Sequence, residues 1–283
     1  MCRLCIYIGS NINLDLLLEP SNSILKQSLG DPFTPFLEDK NPRDHEINGD
    51  GFGLCWRKKK ELFFYKSIKP PWNDTNIYSL SKYINSNFYF THVRAIKPFS
   101  SKTSVNEDNC HPFNYKNFIW MHNGDIKNKV LLLNYLHKNC SLDLISNIKG
   151  TTDSEYCFYI FLSLLDDEYL NCNKKMSQDL FKDKVIECIN LINNISNSES
   201  SLNFSIYDGK TLICTRYINS DSDNPPSLYY GKNIILKNNT INNNIIISSE
   251  PINTNKSDWT LVPKNKMVII TCNNKIIIKN IEN

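Results

Sequence analysis

The first nine residues, Met1-Cys2-Arg3-Leu4-Cys5-Ile6-Tyr7-Ile8-Gly9, decide how the rest of the chain is read. Leu4 to Ile8 is apolar and rich in β-branched residues, so it reads as a buried strand. Cys2, just ahead of that strand, becomes the amino terminus once Met1 is trimmed, and its small side chain is compatible with trimming. The chain then starts with a thiol and a free amine on one residue. A thiolate is the competent nucleophile, and a base beside a weak nucleophile is what activates it. An α-amino group titrates near ~7.7–8.0 in peptides, so at neutral pH it can accept a proton, directly or through one water. The strand behind it would hold such a nucleophile rigidly.

Two blander readings of Cys2-x-x-Cys5 are half a metal site and a redox pair. A metal site needs a second pair at similar spacing, and Cys55, Cys110, Cys140, Cys157, Cys172, Cys188, Cys214 and Cys272 supply none, so no metal is expected. Positions two and five of a strand also face opposite sides of the sheet. Taken alone, position two leaves nucleophile and bystander both open.

The 283 residues suit one large layered domain, and 41% hydrophobic content suffices for a sizeable core. A net charge of +3 with acids and bases interspersed points to neither nucleic acid nor an anionic membrane. Lys58-Lys59-Lys60 lies between two strand-like runs and reads as a solvated turn. No apolar run approaches the ~20 residues of a membrane span, and the amino terminus lacks the pattern of a signal peptide. Ten cysteines without framework spacing suggest reduced thiols and a cytoplasmic location.

Outward from the first strand, Leu14–Leu18 and Ser23–Leu29 read as short helices, and residues 30–48 as a Pro-, Asp- and Asn-rich loop. Gly51–Trp56 and Glu61–Lys66 form a hairpin, with Asp74 capping a helix to Ile84. Asn87–Arg94 and Asn117–His122 are strands, the second ending at Asn123-Gly124. Helices follow over Lys127–Lys138, Asp153–Leu165 and Ser177–Ile192, and then strands to the end of the chain, with a polar tract at 237–244. Strands, helices, then strands without a dividing linker predict a single α+β domain over 1–283.

Three motifs carry both a structural and a chemical reading. Asn123-Gly124 alone is a hairpin signal, yet it also sets a side-chain amide beside a backbone N–H, the two donors an oxyanion needs. Thr152-Asp153-Ser154-Glu155 has the form of a capping box; at that helix start the macrodipole favours a carboxylate, which could hold a substrate ammonium. Arg94 at a strand end is ordinarily a surface charge, but its planar fork suits a carboxylate. One cation and one anion together fit the head of an α-amino acid.

In order along the chain stand Cys2, Asp50-Gly51-Phe52-Gly53, Thr91-His92-Val93-Arg94-Ala95, Asn109-Cys110-His111-Pro112-Phe113, Met121-His122-Asn123-Gly124, Thr151-Thr152-Asp153-Ser154-Glu155 and Ser249-Glu250-Pro251. This series resembles a class II glutamine amidotransferase domain of the amino-terminal-nucleophile hydrolase superfamily. It is closest to stand-alone members that hydrolyse γ-glutamyl compounds, among them the fungal glutathione-degrading amidotransferase subunit and the bacterial enzyme of ergothioneine synthesis. The resemblance implies a four-layer αββα sandwich, with two sheets face to face and the amino terminus ending a central strand. It also implies attack by Cys2 on a γ-carbonyl, with its own amine shuttling the proton and Asn123 and Gly124 forming the oxyanion hole. Arg94 would grip the α-carboxylate and Asp153 the α-ammonium, with His92, His111 and His122 flanking the site. One departure is that Ile96-Lys97-Pro98-Phe99 stands where relatives carry Thr and Gly beside the carboxylate.

The resulting expectation is a cofactor-free thiol hydrolase of glutamine or a γ-glutamyl peptide such as glutathione. No synthase domain is expected, so a metallopeptidase-like or synthase partner subunit is the alternative. A non-catalytic scaffold retaining the fold is the remaining one.

Overall fold

Strand β1 (Arg3–Asn13) opens the chain with Leu4, Cys5, Ile6 and Tyr7 all buried. An unbroken apolar run instead of an in–out alternation requires cover on both faces, which places this strand inside a sheet. The computed structural model describes residues 2–29, 47–96, 105–236 and 243–281. Short helices α1 (Asp15–Leu18) and α2 (Ile24–Gln27) follow, then β2 (Phe52–Lys58), β3 (Glu61–Ser67), α3 (Thr75–Ser81) and β4 (Asn85–Val93). Next come β5 (Phe113–Tyr115), β6 (Phe118–Ile126), α4 (Lys129–Asn139), α5 (Leu142–Ile145), α6 (Asp153–Ser163), α7 (Asp167–Leu170) and α8 (Gln178–Ser196). The remaining strands are β7 (Ser200–Tyr207), β8 (Leu212–Arg216), β9 (Tyr229–Lys232), β10 (Ile245–Ser248), β11 (Trp259–Leu261), β12 (Lys266–Ile270) and β13 (Ile276–Asn280).

The chain divides into two compact units, residues 1–112 with 227–262, and residues 113–226 with 263–283. The first holds a seven-stranded antiparallel sheet ordered β11-β9-β10-β1-β4-β2-β3. Leu14 just ahead of α1, and Leu17, Leu18, Ile24, Leu25 and Ile77 from the helices, pack with Cys5, Tyr7, Leu54 and Tyr89 of the sheet into one core. Asp74 caps α3, its carboxylate accepting from the Asn76 and Ile77 N–H groups at 2.9 and 3.3 Å. The lysine run is the β2–β3 turn, with Lys59 at φ 57°.

The second unit holds a six-stranded antiparallel sheet ordered β13-β12-β8-β7-β6-β5, with α4, α6 and α8 packed together on it. Trp120 on β6 is fully buried, its ring centroid 4.4 Å from Phe204 of β7 and 5.6 and 5.9 Å from Phe158 and Phe161 of α6. It fastens the helix to β6 and β7, so Trp120→Ala is expected to cost about 3–5 kcal/mol. At this chain length that lowers the midpoint of thermal unfolding by roughly 10 °C, measurable by circular dichroism.

The strand expected to stop at Asn123-Gly124 does not stop there. The pairing of β6 with β7 continues through Asn123↔Asn203 and Gly124↔Leu202 to Ile126↔Ser200, so this Asn-Gly pair is strand, not turn. Its partner arrives from far along the chain, and a local turn signal carries no information about it. β5 and β11, of three residues each, were not expected from the sequence. The 237–242 part of the polar tract and most of the 30–48 loop lie outside the described residues.

Candidate active site

In the first unit the head of β1 is held from both edges. The Leu4 N–H donates to Ser249 Oγ at 3.0 Å and the Leu4 carbonyl accepts from the Ser249 N–H at 2.9 Å, while β4 pairs Arg3 with Val93 and Leu4 with His92. Ser249 and Glu250 are anchored in turn by Ser227, whose hydroxyl lies 2.8 Å from the Ser249 carbonyl and 2.6 Å from Glu250 Oε1. The Ser249-Glu250-Pro251 motif is therefore the brace of the amino-terminal strand.

Cys2 is partly buried, one residue ahead of β1. Its Sγ lies on the main chain of Ala95, accepting from the Ala95 N–H at 3.4 Å, with the Ala95 carbonyl 3.7 Å away. The neighbouring Arg94 is buried, its N–H donating to the Gly51 carbonyl at 2.8 Å. The structure thus brings the predicted nucleophile against the main chain of the residue that follows the predicted carboxylate-binding residue. His92 is buried with its ring centroid 4.0 Å from that of His111. Met1, and Lys97 to Phe99 of the departing run, lie outside the described residues.

All ten cysteines are free thiols. Burial pushes Cys5 and Cys214 up to about 12 and Cys110 up to about 11, although Arg94 and Lys66 pull Cys110 the other way. Each of these three is therefore a protonated core thiol at neutral pH. Cys5 in particular is packed among Tyr7, Leu54 and Ile246, as a small apolar side chain would be.

In the second unit α6 begins as expected: Thr152 is its cap, with Oγ1 accepting from the Glu155 N–H at 3.1 Å. Glu155 uses its carboxylate on the Lys149 and Gly150 N–H groups, at 3.1 and 2.7 Å, drawing in the loop before the helix. Asp153 occupies the first helical position, Oδ1 accepting from the Ser154 N–H at 2.8 Å and Oδ2 from the Ile126 N–H at 3.2 Å. Its carboxylate is thereby tied to the end of β6.

His122 makes a second tie. Its Nδ1 is 2.9 Å from Ser154 Oγ and its Nε2 2.9 Å from the Ser201 carbonyl. A carbonyl only accepts, so Nε2 carries a proton, and in the neutral ring Nδ1 accepts from the Ser154 hydroxyl. His122 thus joins β6, β7 and the start of α6, holding the segment that carries Asn123 and Gly124 against the helix that carries Asp153. Gly124 is restricted to glycine by approach distance: a Cβ there would lie 1.8 Å from the Ser201 carbonyl oxygen and 2.5 Å from His122 Nε2. Asn123 alternates to the other face of β6; it is 1% exposed, and its Oδ1 has no hydrogen-bond partner among the described residues.

Sequence reasoning missed Ser154 and Ser201 as partners of His122. Ser201 acts through its carbonyl, which leaves no mark in a side-chain pattern, whereas Ser154 stands inside the motif quoted above. Among the described residues no helix is long and apolar enough to cross a membrane.

With this geometry in place, known proteins supply the class. Residues 22–222 match the family described as glutamine amidotransferases class-II. The chain belongs to that family, whose enzymes carry out amide hydrolysis or amidotransfer at glutamine. It is 32% identical over 306 residues to the probable glutamine amidotransferase DUG3 of Saccharomyces cerevisiae, across 95% of this chain and 82% of that one. Among solved structures, a glutamine aminotransferase class-II domain protein from Silicibacter pomeroyi superposes with a TM-score of 0.64 at 21% identity, with 100% of both chains covered. The glutamine phosphoribosylpyrophosphate amidotransferase of B. subtilis gives 0.62 at 14% identity, matching 99% of this chain and 49% of that one. At such identities the structural matches establish the fold: α+β with two antiparallel sheets, as in the amidotransferases. This chain spans about half the length of the B. subtilis enzyme.

Proposed function

We propose that the chain, as a single amidotransferase domain, opens the γ-glutamyl amide bond of glutamine or of a γ-glutamyl peptide such as glutathione through a thioester on Cys2. The observation that carries this reading is the partly buried Cys2 thiol, set at the head of a braced central strand and accepting the Ala95 N–H at 3.4 Å. With Met1 removed, Sγ attacks the γ-carbonyl carbon and its proton passes to the Cys2 amine, directly or through one water. The Asn123 side-chain amide and the Gly124 N–H are assigned to the resulting oxyanion. Collapse breaks the C–N bond, and the amine returns the proton to the leaving nitrogen, giving ammonia or the amino group of the released peptide. Water then attacks the thioester, which frees glutamate and restores the thiol. Arg94 is assigned to the substrate α-carboxylate and Asp153 to its α-ammonium, with His92 and His122 as supports around them. The reaction takes no cofactor, and ten free thiols fit a cytoplasmic enzyme.

A second reading keeps the same chemistry but makes the chain a subunit that works with a separate synthase or metallopeptidase-like partner, as the resemblance to the fungal amidotransferase subunit implies.

The deciding experiment offers glutamine and glutathione in parallel to the purified chain, with loss of Met1 confirmed by intact mass, and measures glutamate. Release from either one is the expected result, and the preferred one defines the leaving group. A correctly trimmed chain that releases none overturns the plain hydrolase and leaves the partner-dependent subunit or an inactive scaffold. Labelling of Cys2 by a glutamine-like electrophile then separates those two.

A further inference from the structure

We infer that Asp50 is the positioning residue of the Cys2 thiol, clamping residues 94–96 so that the Ala95 N–H is aimed at Sγ. The inference rests on the reading of Cys2 as the nucleophile. Sequence alone left Asp50-Gly51-Phe52-Gly53 between a plain turn and a point of close backbone approach.

The pairing of β4 with β1 and β2 ends at Val93, so the main-chain groups of Arg94, Ala95 and Ile96 have no ladder to join and require other partners. Asp50 and Gly51 supply them on both sides of Ala95. The Arg94 N–H donates to the Gly51 carbonyl at 2.8 Å, and the Arg94 carbonyl accepts from the Asp50 N–H at 3.2 Å. The Asp50 carboxylate then reaches past Ala95, its Oδ2 accepting from the Ile96 N–H at 2.7 Å, the length of a charge-assisted bond. Between these fixed points the Ala95 N–H donates to Cys2 Sγ. The turn needed to present both the main chain and the side chain of Asp50 to one segment is made by Gly51 at φ +105°. A Cβ there would lie 2.7 Å from Cys110 Sγ and 2.9 Å from the Ser67 carbonyl oxygen, so no other residue fits.

Two consequences follow for the reaction. The Ala95 N–H and the Ala95 carbonyl both lie on Sγ, at 3.4 and 3.7 Å, so fixing Ala95 fixes the position of the attacking atom. The same clamp fixes Arg94, so nucleophile and carboxylate grip keep their spacing, where a 1 Å error can cost ~10²-fold in rate.

The test compares Asp50→Ala, Asp50→Asn and Asp50→Glu in the full, trimmed chain. Asn keeps an acceptor for the Ile96 N–H at the same reach; Glu keeps the charge but displaces it by one methylene. The first readout is alkylation of Cys2 by iodoacetamide across pH, quantified on the Cys2 peptide, and the second is kcat and KM for glutamate release. The amine of Cys2, Arg3 on its carbonyl, the adjoining Arg94, and Cys110 with its own charged neighbours Lys66 and Glu107 are common to all variants. Asp50→Ala and Asp50→Glu are expected to slow alkylation of Cys2 at neutral pH about tenfold, as Sγ loses its fixed position. Their kcat falls by about a hundredfold, while Asp50→Asn stays close to the original chain in both readouts. An unchanged alkylation profile in Asp50→Ala overturns the inference, as does an Asp50→Asn chain no better than Asp50→Ala. Asp50→Glu carries the same decision if Asp50→Ala does not fold. Alkylation requires no turnover, so the profile judges Asp50 even if the chain releases no glutamate. Turnover that survives all three variants refutes the clamp and leaves the hydrolase reading intact.

Discussion

Cys2→Ala is expected to lower glutamate release on the order of a millionfold, the scale seen when the nucleophile of a covalent hydrolase is removed. In the proposed mechanism Sγ is the atom that bonds to the substrate, and among the described residues no neighbouring thiol can take its place. Cys5 and Cys110, the other thiols near this end of the first unit, are buried and held protonated, at about 12 and about 11. The substitution also removes little packing, because Cys2 is only partly buried and precedes β1, so thermal unfolding should stay within a few degrees of the original chain. Loss of activity with the fold retained is the diagnostic combination. The measurement is kcat with glutamine and with glutathione on trimmed protein of verified mass, beside labelling by a glutamine-like electrophile. A variant that keeps even a tenth of the activity would move the chemistry off residue 2 and sink the thioester mechanism.

What the sequence disclosed and what it withheld divide along local and non-local physics. The buried strand at the start, the Asp74 and Thr152 caps and the lysine turn were legible because each is decided within a few residues: an apolar run, a side chain reaching two or three N–H groups ahead, a tight reversal. Asn123-Gly124 was misread as a strand end because its conformation is settled by β7, whose Asn203 and Leu202 pair with it from almost 80 residues further on. The His122 network was legible only in its histidine, since one partner is a carbonyl and the other, Ser154, looked like part of a cap. Asp50 shows the same limit. Its motif does form a turn at Gly51, but the turn matters for the three main-chain positions it fastens, and those lie more than forty residues away. Motif order could reveal the class without revealing any of these contacts, because a series of short strings records which residues are kept and not what they touch.

Asn123→Ala is the second large effect. It is expected to lower kcat by about 10²–10³-fold with KM for glutamine nearly unchanged, corresponding to the ~2.7–4 kcal/mol that one oxyanion donor typically contributes. The KM expectation follows from the chemistry, because the donor strengthens its bond only as negative charge develops on the γ-oxygen, and Arg94 and Asp153 are assigned to the ground-state head group. Stability should change little for a buried side chain. Asn123 Oδ1 has no hydrogen-bond partner among the described residues, so truncation removes an amide oxygen already held at a cost. That separates it from its neighbour: Gly124→Ala would drive a methyl to within 1.8 Å of the Ser201 carbonyl oxygen and disrupt the β6–β7 ladder itself. Steady-state kinetics and thermal unfolding of Asn123→Ala together check the assignment. A rise in KM at constant kcat would make Asn123 a substrate-binding group, and a fall in unfolding temperature matching the loss of activity would make it a structural one. Only a kcat loss in a chain of unchanged stability fits a donor that acts in the transition state.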